Sequence, residues 1–174
     1  REIMRTKLIC DFDGRTAACL IAAMVVASMG SRASAEDWLQ WGGPRGDFTV
    51  EAPPLAESWP EGGPKQIWKR ALGDGYSAIL CKGDRLFTEY SDGKAAAAVI
   101  CLDAATGAIR WQYKTDGEND ASPLVVGERV IFASYDGHIY CLNKSDGKLL
   151  WKVETGGRVA GAPALGDGVV MASA

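Results

Sequence analysis

Between residues 123 and 154, short apolar runs alternate with Asp-Gly and other turn pairs. An Asp-Gly pair supplies the positive φ angles that a two-residue hairpin turn requires, and strands joined so closely pair antiparallel. The pattern therefore predicts a four-stranded antiparallel meander. Its strands are predicted at residues 123–126, 129–134, 138–143 and 148–154.

The third predicted strand is apolar on both of its faces. Ile139 and Cys141 point to one side and Tyr140 and Leu142 to the other, because side chains alternate along a strand. An antiparallel sheet with one solvated face would instead alternate apolar and polar residues. Burial on both faces requires a neighbouring sheet on each side, and radially stacked blades provide that geometry.

The meander recurs along the chain at a spacing of 40 residues, as seen for Trp111 and Trp151. A strand-rich repeat of this length is typical of β-propellers and solenoids. We therefore predict an all-β fold, a β-propeller of four-stranded antiparallel blades, present as a fragment of about two and a half blades. The other pairs with the same spacing are Cys101 with Cys141, Gly107 with Gly147 and Pro123 with Pro163.

The repeat also divides the chain into segments. In a closed propeller, an N-terminal strand completes the last blade, so we expect residues 65–72 to be a closing strand whose partners come from further repeats. Residues 36–63, rich in Pro and Gly and containing three tryptophans, are predicted as an extended lead-in; a disordered tail is the alternative. The partial propeller is predicted over 64–174, with blades at 77–117 and 121–157 and a partial blade at 161–174.

Residues 1–35 have the pattern of a secretory signal peptide. Arg5 and Lys7 precede the apolar stretch 17–29, and the small residues 33–35 fit a cleavage site. A helix of that stretch would be about 20 Å long, shorter than the roughly 30 Å hydrocarbon core of a bilayer. We expect an exported protein, periplasmic or in the cell envelope, with no stable transmembrane anchor after cleavage. An uncleaved anchor is the alternative.

The composition narrows the possible chemistry. The net charge is −3 and no basic block follows the signal segment, which argues against nucleic acid as a partner. His138 is the only histidine, so a Ser-His-Asp triad or a multi-histidine metal site lacks material. We predict an inert, exposed His138, no catalytic residue and no metal site, and interpret Cys81, Cys101 and Cys141 as small buried residues.

Three tryptophans lie at matching places in the repeat. Trp68, Trp111 and Trp151 each fall in the last strand of a unit. A large flat side chain that recurs once per blade can fill the wedge between neighbouring blades. We therefore assign these tryptophans, with Gly107 and Gly147, to the structural repeat.

Four polar residues lie where a partner could bind. Glu118, Asn119, Asp120 and Arg158 belong to links that join the last strand of one unit to the first strand of the next. In a propeller, such links reach one face near the axis. We therefore predict that these residues form part of a face that meets a partner.

The repeat resembles the quinoprotein-type (PQQ-like) β-propeller repeat. That repeat has a proline-led first strand, an Asp-Gly-x-Leu/Ile-Tyr-Ala-Leu-Asp segment and then Thr-Gly-Lys-x-x-Trp. Asn143, Ser145 and Asp146 stand where the usual residues are Asp and Thr. Residues 37–47 look like the opening of secreted bacterial members, and the resemblance covers 37–174. The matching positions are 136–143, 146–148 and Trp151 in one copy, and 99–103, Thr106, Gly107 and Trp111 in the other.

The resemblance implies two different functions. The propeller scaffold of the outer-membrane β-barrel assembly machinery binds partner proteins and carries no cofactor. The quinoprotein dehydrogenases bind pyrroloquinoline quinone and Ca²⁺ and oxidise alcohols or sugars. We expect a binding or scaffold module for envelope proteins, without a cofactor. The alternative is a quinoprotein alcohol or sugar dehydrogenase, which would need both the quinone and Ca²⁺.

Overall fold

The computed structural model describes residues 36–52, 54, 57–91 and 97–173. The predicted signal peptide, residues 1–35, lies outside this described part, as do residues 92–96. The described residues belong to one compact unit that extends over 33–174. None of them forms a helix long and apolar enough to span a bilayer.

The described residues form ten strands, arranged as two four-stranded sheets and one hairpin. Each sheet is a simple antiparallel meander whose spatial order follows the sequence. The predicted all-β fold of four-stranded antiparallel sheets is therefore confirmed. The strands of blade 1 are β1 (Leu80–Lys82), β2 (Arg85–Ser91), β3 (Ala97–Asp103) and β4 (Ile109–Thr115). Those of blade 2 are β5 (Leu124–Val126), β6 (Arg129–Ser134), β7 (His138–Asn143) and β8 (Leu149–Glu154), and β9 (Ala164–Gly166) pairs with β10 (Val169–Met171).

The strand bounds predicted for blade 2 from the turn residues agree closely with the structure. β6 and β7 coincide with the predicted strands, and β5 and β8 each begin one residue later than predicted. Gly137, between β6 and β7, has a φ of 81°, which its lack of a Cβ permits. Both blades contain a register shift at the same place, between Cys101 and Leu102 and between Cys141 and Leu142.

The core lies between the two blades. Tyr113 of β4 reaches Phe132 and Tyr140 of blade 2, with ring centroids 6.3 and 5.7 Å away. The rings of Phe132 and Tyr140 stack on each other at 5.1 Å. Each sheet thus shields the face of the other. Cys101 and Cys141 are buried free thiols, as predicted, whereas Cys81 is only half-buried.

A tryptophan of one unit sits on a turn of the next. The indole Nε1 of Trp111, in blade 1, donates to the carbonyl of Lys144 in blade 2, at 2.9 Å. Trp68 repeats this contact one unit earlier, with its Nε1 2.9 Å from the carbonyl of Ala104. The two bonds are equivalent, since Trp68 meets the β3–β4 turn of blade 1 as Trp111 meets the β7–β8 turn of blade 2.

Gly107 and Gly147 make room for these indoles. Their φ angles are +68° and +70°, and a Cβ at either position would lie 2.6 Å from ring atoms of Trp68 or Trp111. Both the backbone conformation and the space therefore require glycine.

In each of these two glycine turns, one side-chain oxygen accepts a hydrogen bond from the turn backbone. Oδ1 of Asp103 accepts from the backbone N–H of Thr106 at 2.9 Å, and Oδ1 of Asn143 accepts from that of Ser145 at 2.8 Å. An Asx side chain of either kind can stabilise such a turn. The departure from Asp at position 143 therefore leaves the turn intact.

Two parts of the repeat lack a neighbouring strand or unit on one side within the described residues. Trp151 is 38% exposed, and every residue of β8 is exposed. Residues 65–72, predicted as a closing strand, lie outside the ten strands, because the described residues provide no strand for them to pair with. Trp68 nevertheless holds this segment against blade 1.

The lead-in contacts both blades through its backbone. Trp38 pairs with Cys81 of β1 through two hydrogen bonds of 2.9 and 2.8 Å. The carbonyl of the next residue, Leu39, accepts from the N–H of Val125 in β5 at 2.8 Å. Asp37 reinforces this position by accepting from the backbone N–H of Gly83 at 2.8 Å. The segment is therefore part of the fold.

We predict that Trp111→Ala destabilises the protein by about 3–5 kcal/mol, because it empties the seam between the blades and removes the indole donor of the Lys144 carbonyl, which keeps only the guanidinium donor of Arg85. Trp111→Phe is expected to retain much of the packing. Urea unfolding of the full-length protein measures both changes. Trp59→Ala is the control, since Trp59 is 57% exposed, and its effect should stay within about 0.5 kcal/mol. Equal losses for Trp111→Ala and Trp59→Ala would contradict the role of the seam.

Candidate functional site

Three links lie at one end of the blades. The links at 116–123 and 156–163 each join a last strand to a first strand, and the segment 73–78 leads to the first strand of blade 1. Because strand direction alternates within a meander, all three lie at the same end. The turns at 103–108 and 143–148 occupy the opposite end. We call the surface formed by the links at 73–78, 116–123 and 156–163 the link face.

An identical backbone contact anchors two of the links. The N–H of Ser91, at the end of β2, donates to the carbonyl of Asp74 at 2.6 Å. The N–H of Tyr135, just after β6, donates to the carbonyl of Glu118 at 2.9 Å. Each link is therefore fixed to its blade at an equivalent position, which sets the side chains that follow.

Tyr135 contacts residues from two of the links that were predicted to meet a partner. Its hydroxyl donates to Oδ2 of Asp120 at 2.8 Å, and the guanidinium carbon of Arg158 lies 4.2 Å from its ring centroid. Asp120 raises the pKa of Tyr135 by accepting this hydrogen bond. The structure thus brings Glu118, Asp120 and Arg158 together at one exposed site. Tyr135 itself was not singled out from the sequence, because a tyrosine after a strand is also common in cores.

Two surface pockets open beside this cluster. One, of about 270 Å³, is lined by Tyr135, Asp136, Glu154 and Arg158 together with three glycines. The other, of about 350 Å³, lies between Asp120 and the lead-in aromatic Trp41. Aromatic and acidic groups line both pockets, and the first also has the guanidinium of Arg158, a combination suited to a polar or charged partner segment.

Asn119 behaves differently from its neighbours. It is 3% exposed, contrary to the expectation for a residue on a partner face. Its Nδ2 and both carboxyl oxygens of Glu89 on β2 have no hydrogen-bond partner among the described residues. The corresponding residues of blade 2, by register and repeat spacing, are Ala133 and the buried Val159. A polar pair in blade 1 therefore replaces an apolar pair in blade 2.

Glu89 is a fully buried acid whose pKa is strongly perturbed. Burial raises its pKa well above the usual value, and the negative charge of Asp120 adds to the shift. A buried carboxyl without a charged partner is most stable when it is protonated. Glu89 is thus a neutral group directly beneath the link face.

His138 also departs from its predicted exposure. It is half-buried, with Nδ1 3.1 Å from the carbonyl oxygen of Asp136. The hydroxyl of Tyr140 donates to Oδ2 of the same aspartate at 2.6 Å, and burial together with that carboxylate raises the pKa of Tyr140. Within the described part of the chain, no three His, Cys, Asp or Glu side chains converge to hold a metal ion.

The part of the chain that contains the repeats is similar to known proteins. Residues 60–174 match a family model described as outer membrane protein assembly factor BamB. The protein of that name from Burkholderia pseudomallei is 29% identical over 121 residues, which are 68% of this chain and 30% of that protein. The polyvinylalcohol dehydrogenase of Sphingopyxis sp. is 31% identical over 78 residues, 40% of this chain and 11% of the enzyme.

A solved structure shares the arrangement. The crystal structure of BamB from Moraxella catarrhalis matches with a TM-score of 0.51 at 26% identity, covering 62% of this chain and 33% of that protein. The chain therefore spans about a third or less of the relatives that it matches.

We predict that Glu89→Gln flattens the dependence of stability on pH. Because the folded state holds a proton on Glu89 that the unfolded state releases above its ordinary pKa of 4.5, this stabilisation is complete below that pH. It is lost as the pH rises toward the folded-state pKa, by up to about 1.4 kcal/mol per pH unit.

Urea unfolding between about pH 5 and 8 measures this slope. Glu61→Gln, an exposed lead-in glutamate, is the matched control and should keep the wild-type slope. An unchanged slope in Glu89→Gln would show that Glu89 ionises normally.

Proposed function

The chain belongs to the family of the outer membrane protein assembly factor BamB, and on this premise we propose that it is an exported scaffold module that binds envelope proteins. The observation that carries the proposal is the family match over 60–174, which includes both blades. The residues that repeat in both blades, such as the tryptophans and the turn glycines, pack the blades together and shape their turns. They therefore have a structural role. We therefore assign partner binding to segments that take no part in the contacts between blades.

The link face supports this assignment. It exposes Glu118, Asp120 and Arg158 at one cluster, with Tyr135 as a rigid centre. Aromatic residues and arginine are enriched at the energetic centres of protein interfaces. The link that carries Glu118 and Asp120 is held to its blade by a backbone hydrogen bond, so these two side chains are positioned before a partner arrives and lose little entropy on binding.

The proposal includes a location and a cofactor state. We place the protein in the periplasm or cell envelope, where its proposed partners are. We assign it no cofactor, since a scaffold acts through contacts alone.

A quinoprotein alcohol or sugar dehydrogenase is the second candidate. The similarity to a polyvinylalcohol dehydrogenase over 78 residues favours it. This function would need pyrroloquinoline quinone and Ca²⁺, a cation that prefers six to eight oxygen ligands. The acidic residues within the described part do not fit such a site, because no three of them converge. We therefore derive no step through the cofactor.

We predict that the double variant Glu118→Lys/Asp120→Lys of the full-length protein loses at least about tenfold in capture of its partners from envelope extract. Reversed charges at the centre of an interface oppose docking and change its dependence on salt. Affinity capture at two salt concentrations, followed by mass spectrometry, measures the effect. Glu57→Lys/Glu61→Lys makes the same charge change on exposed lead-in residues and should leave capture intact.

A second assay separates the two candidate functions. The full-length protein is mixed with pyrroloquinoline quinone, Ca²⁺ and alcohols or sugars, and dye reduction is followed. Turnover that depends on the quinone would replace the scaffold proposal with the dehydrogenase. Unchanged capture by the link-face variant would remove the assigned surface.

A further inference from the structure

The first strands of the three units each have one residue whose backbone faces away from the blade. These residues are Cys81, Val125 and Leu165, which oppose Leu86, Val130 and Val170 in the registers of their hairpins. In a two-residue hairpin, the residues that close the turn exchange hydrogen bonds, so the residue before them directs its N–H and C=O outward. These three outward-facing positions mark the inner edge of the units.

The lead-in already occupies two of the three positions. Trp38 gives both of its backbone groups to Cys81, and Leu39 gives its carbonyl to Val125. Successive residues of an extended chain direct their backbone groups to opposite sides. One extended segment therefore serves two blades. The inner edge thus already accepts backbone hydrogen bonds from an extended segment.

The third position is open. Leu165 is 42% exposed, and no backbone hydrogen bond reaches its outward-facing groups from the described residues. The lead-in does not extend to it, because the chain turns away after Leu39. The turn is closed by the N–H of Gly43, which donates to the carbonyl of Gln40 at 3.0 Å.

An apolar pocket adjoins this open position. It has a volume of about 340 Å³ and is lined chiefly by Leu39, Pro44, Leu124, Val126 and Leu165. The pocket lies between the lead-in and the first strands of two units. A segment added beside β9 would continue the line of the lead-in and could place one apolar side chain there.

The charges around the edge define the segment that fits. In blade 1, the carboxylate of Asp37 accepts from Lys82 and from the N–H of Gly83. At the third unit, the corresponding residues are Gly166 and Asp167, by the register of the hairpins. A carboxylate at the place that Asp37 takes in blade 1 would here be repelled by the negative charge of Asp167. A basic side chain is complementary to it.

We propose that the inner edge of β9 binds an extended segment of a partner protein by strand addition. The segment has a free N–H and C=O opposite Leu165, a basic residue before that position and an apolar residue after it. Main-chain hydrogen bonds supply affinity, and the pocket and Asp167 supply selectivity. The site is distinct from the link face and does not depend on the function assigned there.

The probe is a fluorescent peptide that copies residues 36–44 with Asp37→Lys. We expect saturable binding to the full-length protein by fluorescence anisotropy. N-methylation of the peptide backbone at the residue copied from Trp38, which removes the N–H that faces Leu165, should weaken binding about tenfold or more. The unmodified sequence with aspartate should bind several-fold more weakly than the lysine peptide.

Protein variants identify the edge. Asp167→Asn should remove the preference for lysine over aspartate, and asparagine tolerates the positive φ of 48° at this position. The variant Glu118→Lys/Asp120→Lys should bind the peptide normally, which separates this site from the link face.

Three results would overturn the proposal. One is equal binding of the N-methylated and unmethylated peptides. Another is a preference for lysine that persists in Asp167→Asn. The third is no binding of any peptide, as expected if a segment of the same protein already covers the edge.

Discussion

The contact between one indole and one glycine turn determines how the blades stand against each other. The tryptophan of a last strand donates to a turn carbonyl of the next unit and lies flat where a Cβ would otherwise be. This contact fixes both the distance and the rotation between neighbouring sheets. The aromatic packing of Tyr113 against blade 2 follows from that arrangement, because it brings the faces of the two sheets together.

Because the seam lies at one end of the blades, the other end is left for binding. At the link end, polar groups are tied to their blades by backbone bonds, and the same cluster joins Asp120, Tyr135 and Arg158. Beneath it, Glu89 and Asn119 occupy positions where blade 2 has small or apolar side chains. The two blades therefore share a framework but differ in the interior that supports their links.

Much of this arrangement was readable from the sequence, and the failures have physical causes. Asp-Gly turns and two-sided apolar strands identified the meanders, since both depend on local chemistry. The pairing of Trp38 and Leu39 was not foreseen, because backbone hydrogen bonds leave no mark on side-chain identity. Asn119 was misplaced because its polar neighbours suggested a solvated loop. It lies beside Glu89, which is 30 residues away in the sequence and whose own burial has no local signature.

The contact between two units depends on very little of the sequence of the second unit. It requires a main-chain carbonyl, which every residue possesses, and a single glycine, and the turn residue itself can be Ala104 or Lys144. Any unit with that turn can therefore follow any unit with that indole. Duplication, loss or exchange of whole units would preserve the joints while loops diversify, which gives this architecture an easy route to new ring sizes and new specificities.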